Sequence, residues 1–327
     1  MLHDQYGRNH TYLRISVTGR CNLRCTYCMP EEGIKLRPKD SILTFDEIIH
    51  LSQVMVGFGV EKIRVTGGEP LVRKDVEKLC GRLARIEGLQ TLALSTNGAY
   101  LKEKAGELRR AGVSHLNISL DTLQPERFLA ITRRDSFSKV MQGIEAAVTE
   151  EFPSLKINTV IIRDFNDDEI LEFVRLAISL GVNARFIEYM PFPGNDWKKE
   201  LYVPSSEIHS IIESKYVLEA KKQDGHVPGP AVEFRVKGTE ATVGFISTMS
   251  KPFCHGCNRL RLSSDGMLRV CLFAQDGIDV KTPLRRGASS EELKKVILGA
   301  LAKKWEEHPG EEELERKEHG HMIGIGG

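Results

Sequence analysis

The stretch Tyr12-Leu13-Arg14-Ile15-Ser16-Val17-Thr18-Gly19-Arg20-Cys21-Asn22-Leu23-Arg24-Cys25-Thr26-Tyr27-Cys28 sets three cysteines, spaced C-x3-C-x2-C, directly behind a short apolar strand at residues 12–17. Three thiolates hold three corners of a cubane iron–sulfur cluster, which normally takes four protein ligands. The fourth iron is then open, by the logic that separates catalytic from structural zinc sites. A zinc knuckle or scattered buried thiols is the plainer alternative. Thiols this dense in an otherwise cysteine-poor chain favour the cluster.

The chain has 327 residues, 41% of them hydrophobic, enough for one large domain or a barrel with an appendage. Its seven cysteines are odd in number and clustered, so no disulfide framework is expected. A net charge of +1 gives no reason to expect a nucleic-acid partner. No apolar run approaches the length that spans a bilayer, so no membrane partner is expected. Met1-Leu2-His3-Asp4-Gln5-Tyr6 contains an acid and runs quickly into the first strand. No targeting peptide is therefore expected. The expected location is the cytoplasm, or the mitochondrial matrix for a form trimmed of a transit sequence.

Strand-like runs at 12–17, 62–66, 91–95, 115–119, 156–162 and 183–188 alternate with helical periods. Thr44 with Glu47 reads as a capping box, and Asn166 with Glu169 is expected to open a helix at 170–180 in the same way. Six β–α units with right-handed crossovers predict an α/β fold. Six strands are two short of a closed TIM barrel, so an open partial (β/α)6 barrel is expected. Chemistry in such barrels gathers at the carboxyl ends of the strands. There the cysteine loop follows the first strand and Gly67-Gly68-Glu69-Pro70 the second. Ser95-Thr96-Asn97-Gly98 ends the third strand and Ser119-Leu120-Asp121 the fourth, either to hold a ligand or to cap the next helices.

In Leu13-Arg14-Ile15 and Ile63-Arg64-Val65 alternation puts each arginine on the face opposite its apolar neighbours, and Lys156 opens the fifth strand similarly. Cations facing a lumen are costly unless opposed, so a polyanion such as a triphosphate is one reading. The other is that they reach water at strand ends or pair with acids such as Glu188. Past Met190-Pro191 the rhythm changes, and runs at 231–236 and 242–246 predict an antiparallel hairpin. A second triad follows: Cys254-His255-Gly256-Cys257, then Cys271 after thirteen residues. Zinc with His255 is the alternative there. Cys80, on an apolar helical face with Val76, Leu79 and Leu83, is expected in the core. The expected division is a core barrel at 1–230 and an auxiliary-cluster and substrate-binding region at 231–327.

The first cysteine loop, with an aromatic residue before the third cysteine, resembles the radical S-adenosylmethionine (SAM) superfamily. Cys254-His255-Gly256-Cys257-Asn258-Arg259-Leu260-Arg261-Leu262, then Gly266 to Leu272, is similar to the C-terminal cluster region of the GTP 3′,8-cyclase family, the molybdenum cofactor biosynthesis protein A family. The resemblance runs from about residue 12 to the terminal Gly326-Gly327. It implies a radical SAM type of partial barrel with a C-terminal iron–sulfur region and two 4Fe–4S clusters, held by Cys21, Cys25 and Cys28 and by Cys254, Cys257 and Cys271. It implies SAM as cofactor, bound by Gly68, Ser119, Met190 and the backbone near Tyr27. It implies GTP as substrate, contacted by Arg14, Arg64, Ser95, Lys156, Arg259 and Arg261. Many members carry threonine where this chain has Ser95. The implied reaction is cyclisation of GTP to (8S)-3′,8-cyclo-7,8-dihydroguanosine 5′-triphosphate, the first step of molybdenum cofactor biosynthesis. Arg259, Arg261, Gly326 and Gly327 are the residues it implies for catalysis, the glycine tail reaching the active site. The implied partners are cyclic pyranopterin monophosphate synthase as the next enzyme, a low-potential electron donor and, left open, a second copy of the chain.

Overall fold

Six strand–helix units run from the N-terminus where the alternation of periods predicts them. The computed structural model describes residues 1–35, 37–192, 195, 197–221, 229–274, 276–316 and 322–325. Strands β1 (Tyr12–Ser16), β2 (Lys62–Thr66), β3 (Thr91–Thr96), β4 (His115–Ser119), β5 (Ser154–Ile161) and β6 (Asn183–Glu188) lie side by side, parallel and in chain order. Between them run α1 (Phe45–Gly57), α2 (Val76–Leu83), α3 (Leu101–Arg110), the pair α4 (Pro125–Thr132) and α5 (Phe137–Thr149), and α6 (Ile170–Leu180). Thr44 and Glu47 form the capping box at α1. At α6 the expected box is absent. The Asn166 amide donates to the carbonyls of Asp121 and Val160, and the Glu169 carboxylate accepts from Thr122 and Leu123. Asn166 thereby ties the end of β4 to β5, and Glu169 holds the loop that follows β4.

The strands bury apolar side chains such as Leu13, Ile15, Ile63, Val65, Leu94 and Leu116 under the helices. Their other face carries Arg14, Arg64, Ser95, Asn117 and Lys156 toward a cavity. A parallel strand usually presents apolar residues on both faces, so this polar inner face is the departure that marks the function.

The second half of the chain supplies α7 (Ser205–Glu213), β7 (Leu218–Ala220), β8 (Val232–Val236), β9 (Thr242–Ile246), β10 (Arg259–Leu262), β11 (Met267–Arg269) and β12 (Ile278–Asp279). Helices α8 (Lys281–Arg285), α9 (Ser290–Leu301) and α10 (Glu311–Arg316) follow. β8 and β9 form the expected antiparallel hairpin. Beyond that expectation, β9 joins β6 in parallel and β10 joins β1 in parallel. Among the described residues the result is one twelve-stranded sheet that does not close, ordered β12-β11-β10-β1-β2-β3-β4-β5-β6-β9-β8-β7. The boundary expected at 230 falls between β7 and β8, which pair with each other inside that sheet.

Candidate active site

The first triad sits on the loop leaving β1. Cys21, Cys25 and Cys28 are free, partly exposed thiols on the wall of a cavity of about 640 Å³. Turn bonds from the N–H groups of Cys28 and Met29 to Cys25 O, at 3.0 and 3.2 Å, curl the loop. The Arg24 guanidinium clasps Cys21 O and Leu23 O at 2.7 and 2.8 Å. Sulfur is met by donors: Leu23 N–H at 3.4 Å and the Asn97 amide at 3.8 Å approach Cys21 Sγ, and the Ile323 backbone bonds Cys28. Burial pushes the thiols up, Cys21 to about 11 and Cys28 to about 12, so a bound cationic group is what would hold them as thiolates. Among the described residues no three His, Cys, Asp or Glu side chains converge as ligands of one ion do. Spaced thiols with N–H donors aimed at sulfur fit a polynuclear iron–sulfur cluster.

The glycine-rich loop after β2 packs directly on this loop. Gly68 N–H donates to Thr18 O at 2.7 Å and Glu69 N–H to Arg20 O at 2.8 Å. A Cβ on Gly68 would stand 2.4 Å from Arg20 O, so glycine is required here for loop-on-loop contact. The buried Glu69 carboxylate accepts from Leu71 N, Thr96 Oγ1 and Asn97 N at 2.7–3.0 Å, while burial pushes it up to about 7. Asp121, raised by burial to about 6, accepts from the Tyr27 hydroxyl at 2.7 Å and from Val160 N at 2.9 Å. Thr96, Asn97 and Asp121, at the ends of β3 and β4, therefore bind neighbouring loops and do not cap α3 or α4. Ser119 is exposed to the cavity at the end of an otherwise buried strand. Tyr27, Gly68, Ser119 and Met190 all line the cavity with the first triad.

Deeper in, register sets three arginines in one row, Arg261 on β10 beside Arg14 on β1 beside Arg64 on β2. Arg64 donates to Tyr12 Oη at 2.6 Å, Leu94 O at 3.0 Å and Ser95 Oγ at 3.1 Å. Burial raises the Tyr12 phenol, but Arg64, Arg14 and Lys62 outweigh it and bring it down to about 7. Lys156 is lowered to about 8, by burial first and then by Arg185. The acid that Lys156 meets is not Glu188. Its Nζ lies 2.9 Å from Glu233 Oε1, which also accepts from Arg185. Glu188 is fully buried and accepts from the backbone of Ser205, Met249 and Ser250. Lys62 and Arg185 are cavity cations that the sequence reading missed, although the alternation used for Arg14 points to both. Asn117 Oδ1, Asn158 Oδ1 and Arg185 Nε are buried at this cavity without partners among the described residues, as suits a polar ligand.

The second triad lines the same cavity as the first. Cys257 N–H bonds Cys254 O at 3.0 Å in a tight turn, and Cys271 follows β11. The Arg259 guanidinium and Lys304 Nζ stand 3.5 and 3.7 Å from Cys257 Sγ. Burial raises this thiol, and the two cations outweigh it, to about 7. Arg8, paired to Asp4, fixes the turn from behind through Cys254 O at 2.7 Å. Neither Lys304 nor Arg8 has a local sequence signal. His255 is exposed and does not line the cavity, and Cys80 is buried in α2.

The C-terminal segment closes onto this site. Its residues are anchored by apolar contacts: Leu314 packs with Phe192 and Phe273, and Ile323 is buried against the Gly68 loop. Met322 and Ile323 line the cavity. Gly326 and Gly327 lie outside the described residues. The other expected site residues, from Arg14 to Cys271, all border this one cavity.

An open α/β sheet with a three-cysteine loop after its first strand defines the radical SAM fold, and residues 15–177 match the Radical SAM superfamily. Solved structures share that fold. Streptococcus suis SuiB bound to S-adenosylmethionine superimposes with a TM-score of 0.62 at 14% identity, over 89% of this chain and 68% of that one. Methylornithine synthase does so at 0.51 and 17% identity, over 63% and 62%. Residues 182–309 match Molybdenum Cofactor Synthesis C. The chain is 45% identical to the mitochondrial GTP 3′,8-cyclase of Arabidopsis thaliana, over 100% of this chain and 84% of the relative. It is 47% identical to GTP 3′,8-cyclase of Moorella thermoacetica, over 94% and 95%. Against human molybdenum cofactor biosynthesis protein 1 identity is 43% over 98% of this chain, which spans 50% of that longer relative. The chain belongs to the GTP 3′,8-cyclase family.

Proposed function

We infer that this chain is a GTP 3′,8-cyclase, converting GTP to (8S)-3′,8-cyclo-7,8-dihydroguanosine 5′-triphosphate in the first step of molybdenum cofactor biosynthesis. The observation that carries the reading is that two cysteine triads share one cation-rich cavity. Two 4Fe–4S clusters with S-adenosylmethionine supply, when bound, the radical chemistry and an open iron for the purine. The chain supplies position and exclusion of water. Cys21, Cys25 and Cys28 hold one cluster and Cys254, Cys257 and Cys271 the other. Tyr27, Gly68, Ser119 and Met190 seat the cofactor. Arg14, Arg64, Ser95, Lys156, Arg259 and Arg261 hold GTP, the cations meeting the phosphates by charge-assisted bonds. Arg259 and Arg261 act in catalysis together with Gly326 and Gly327.

Residues 1–230 would then generate the radical and residues 231–327 present the substrate. A low-potential donor feeds the reaction, and cyclic pyranopterin monophosphate synthase consumes its product. Among the described residues no helix is long and apolar enough to cross a membrane, and the cytoplasm, or the matrix for a trimmed form, is the proposed location. A homodimer completes the proposed partners. The test is anaerobic reconstitution with iron and sulfide, then incubation with GTP, SAM and dithionite. Formation of 5′-deoxyadenosine and the cyclised nucleotide, both dependent on GTP, is expected. Cofactor cleavage without a cyclised product would refute the assignment.

A further inference from the structure

The cavity holds one acid among its cations that the reaction does not call for. Of the described carboxylates on its wall, Glu69 and Asp121 accept backbone N–H groups near the first triad. Glu233 alone is gripped by cations, Lys156 and Arg185. It reaches them from β8 across an intervening strand. Register sets Glu233 opposite Gly244 on β9, and Gly244 opposite Arg185 on β6. A Cβ on Gly244 would meet Arg185 Cγ at 3.3 Å and Glu233 Cγ at 3.5 Å, so the strand between them is kept bare where the pair crosses it. A carboxylate held by two cations occupies the position and carries the charge of a phosphate oxygen.

There is also somewhere for it to go. A second cavity of about 470 Å³ lies against the same residues, with Lys156, Lys221, Asn183, Thr242 and Glu233 on its wall. Thr242 Oγ1 is buried without a partner among the described residues. It sits opposite Arg235, two residues along β8 from Glu233, which puts it diagonally adjacent on the same face.

We propose that Glu233 is an internal counter-anion, displaced from Lys156 and Arg185 toward Thr242 by the phosphate chain of the substrate, so that it sets how much negative charge a ligand must bring to enter. This rests on the nucleoside-triphosphate reading of the cavity. It assigns Glu233 to ligand selection, apart from the chemistry.

The experiment is calorimetric titration of the reconstituted full chain with GTP, GMP and inorganic tripolyphosphate, comparing wild type with Glu233→Gln, Glu233→Asp and Thr242→Val. Glu233→Gln is expected to bind GTP and tripolyphosphate about tenfold more tightly and GMP within about twofold of wild type. The gain should appear in KM, with kcat not raised. Glu233→Asp, which keeps the charge, should stay within about threefold of wild type. Thr242→Val should weaken GTP binding about threefold in the wild-type background and have no effect beside Glu233→Gln. Unchanged or weaker GTP and tripolyphosphate binding by Glu233→Gln, with a lowered Tm, would mark a purely structural ion pair and overturn the proposal. If Glu233→Gln fails to take up iron, Thr242→Val decides: no change in wild type overturns it. Should wild type bind tripolyphosphate and refuse GTP, the nucleotide assignment fails, while the tripolyphosphate comparison still decides the role of Glu233.

Discussion

Lys156 illustrates how far a single residue is legible. Its place on an inward strand face follows from alternation, but its partner, Glu233, lies 77 residues away on β8 and leaves no local trace. Replacing Lys156 with Ala should weaken GTP binding about ten- to hundredfold, the roughly 1.5–3 kcal/mol of a charge-assisted bond, and leave SAM binding nearly unchanged. Equal loss for both ligands in equilibrium binding would make Lys156 structural. Two groups give the cavity a pH dependence. Tyr12, at about 7, becomes an anion as pH rises, and Lys156, at about 8, becomes neutral. Each step lowers the net charge of the cavity by one, so GTP affinity should fall as pH rises through about 7 to 8. In titrations across that range Tyr12→Phe should abolish the lower inflection and Lys156→Arg the upper. A flat profile for wild type would contradict the assignment.

At the scale of the element, the cysteine loop and the Gly67-Gly68 loop behave as one unit, because each satisfies the other's backbone. Spacing showed both loops, since their residues are contiguous. Their mutual packing did not show, and neither did the use of Asn166 and Glu169 as loop ties, because local pattern cannot tell a cap from a longer-range bond. Gly68→Ala forces its new methyl onto Arg20 O and C at 2.4 and 2.8 Å. A cost of about 1–3 kcal/mol is expected, with reduced iron uptake at the first triad measured anaerobically. Normal loading and Tm would show that the loops yield easily. For the second triad, exchanging Cys254, Cys257 and Cys271 together for Ser should halve the iron from about eight per chain and leave some SAM cleavage. Stoichiometric zinc in protein handled without oxygen would sink the two-cluster reading.

Across the whole molecule, the six-strand arc was legible because each β–α unit is written locally in apolar periods. The parallel attachment of β9 and β10 to its two sides was not, since Thr242–Ile246 and Arg259–Leu262 read as ordinary short strands whose partners lie far back in the chain. The anchoring of the C-terminal segment was not legible for a related reason. Leu314 and Ile323 look isolated among polar residues, and only the fold supplies their apolar surroundings. Changing Gly326 and Gly327 to Ala should leave iron content, Tm and GTP affinity nearly unchanged, while product formation falls sharply and SAM cleavage continues. Wild-type product yield would make the tail an ordinary chain end.

The two-sided attachment has a consequence for biogenesis. During synthesis β1 and β6 emerge long before the strands that cover them, so the nascent arc presents two unpaired edges, a template for association with other chains. The covering strands β9 and β10 lie close together in one late stretch, and the second of them carries the second thiol triad's turn on its flank. A chain stopped after residue 230 should therefore collect in the insoluble fraction even though all six parallel strands are present. Supplying residues 231–327 in trans during translation should recover part of it in solution.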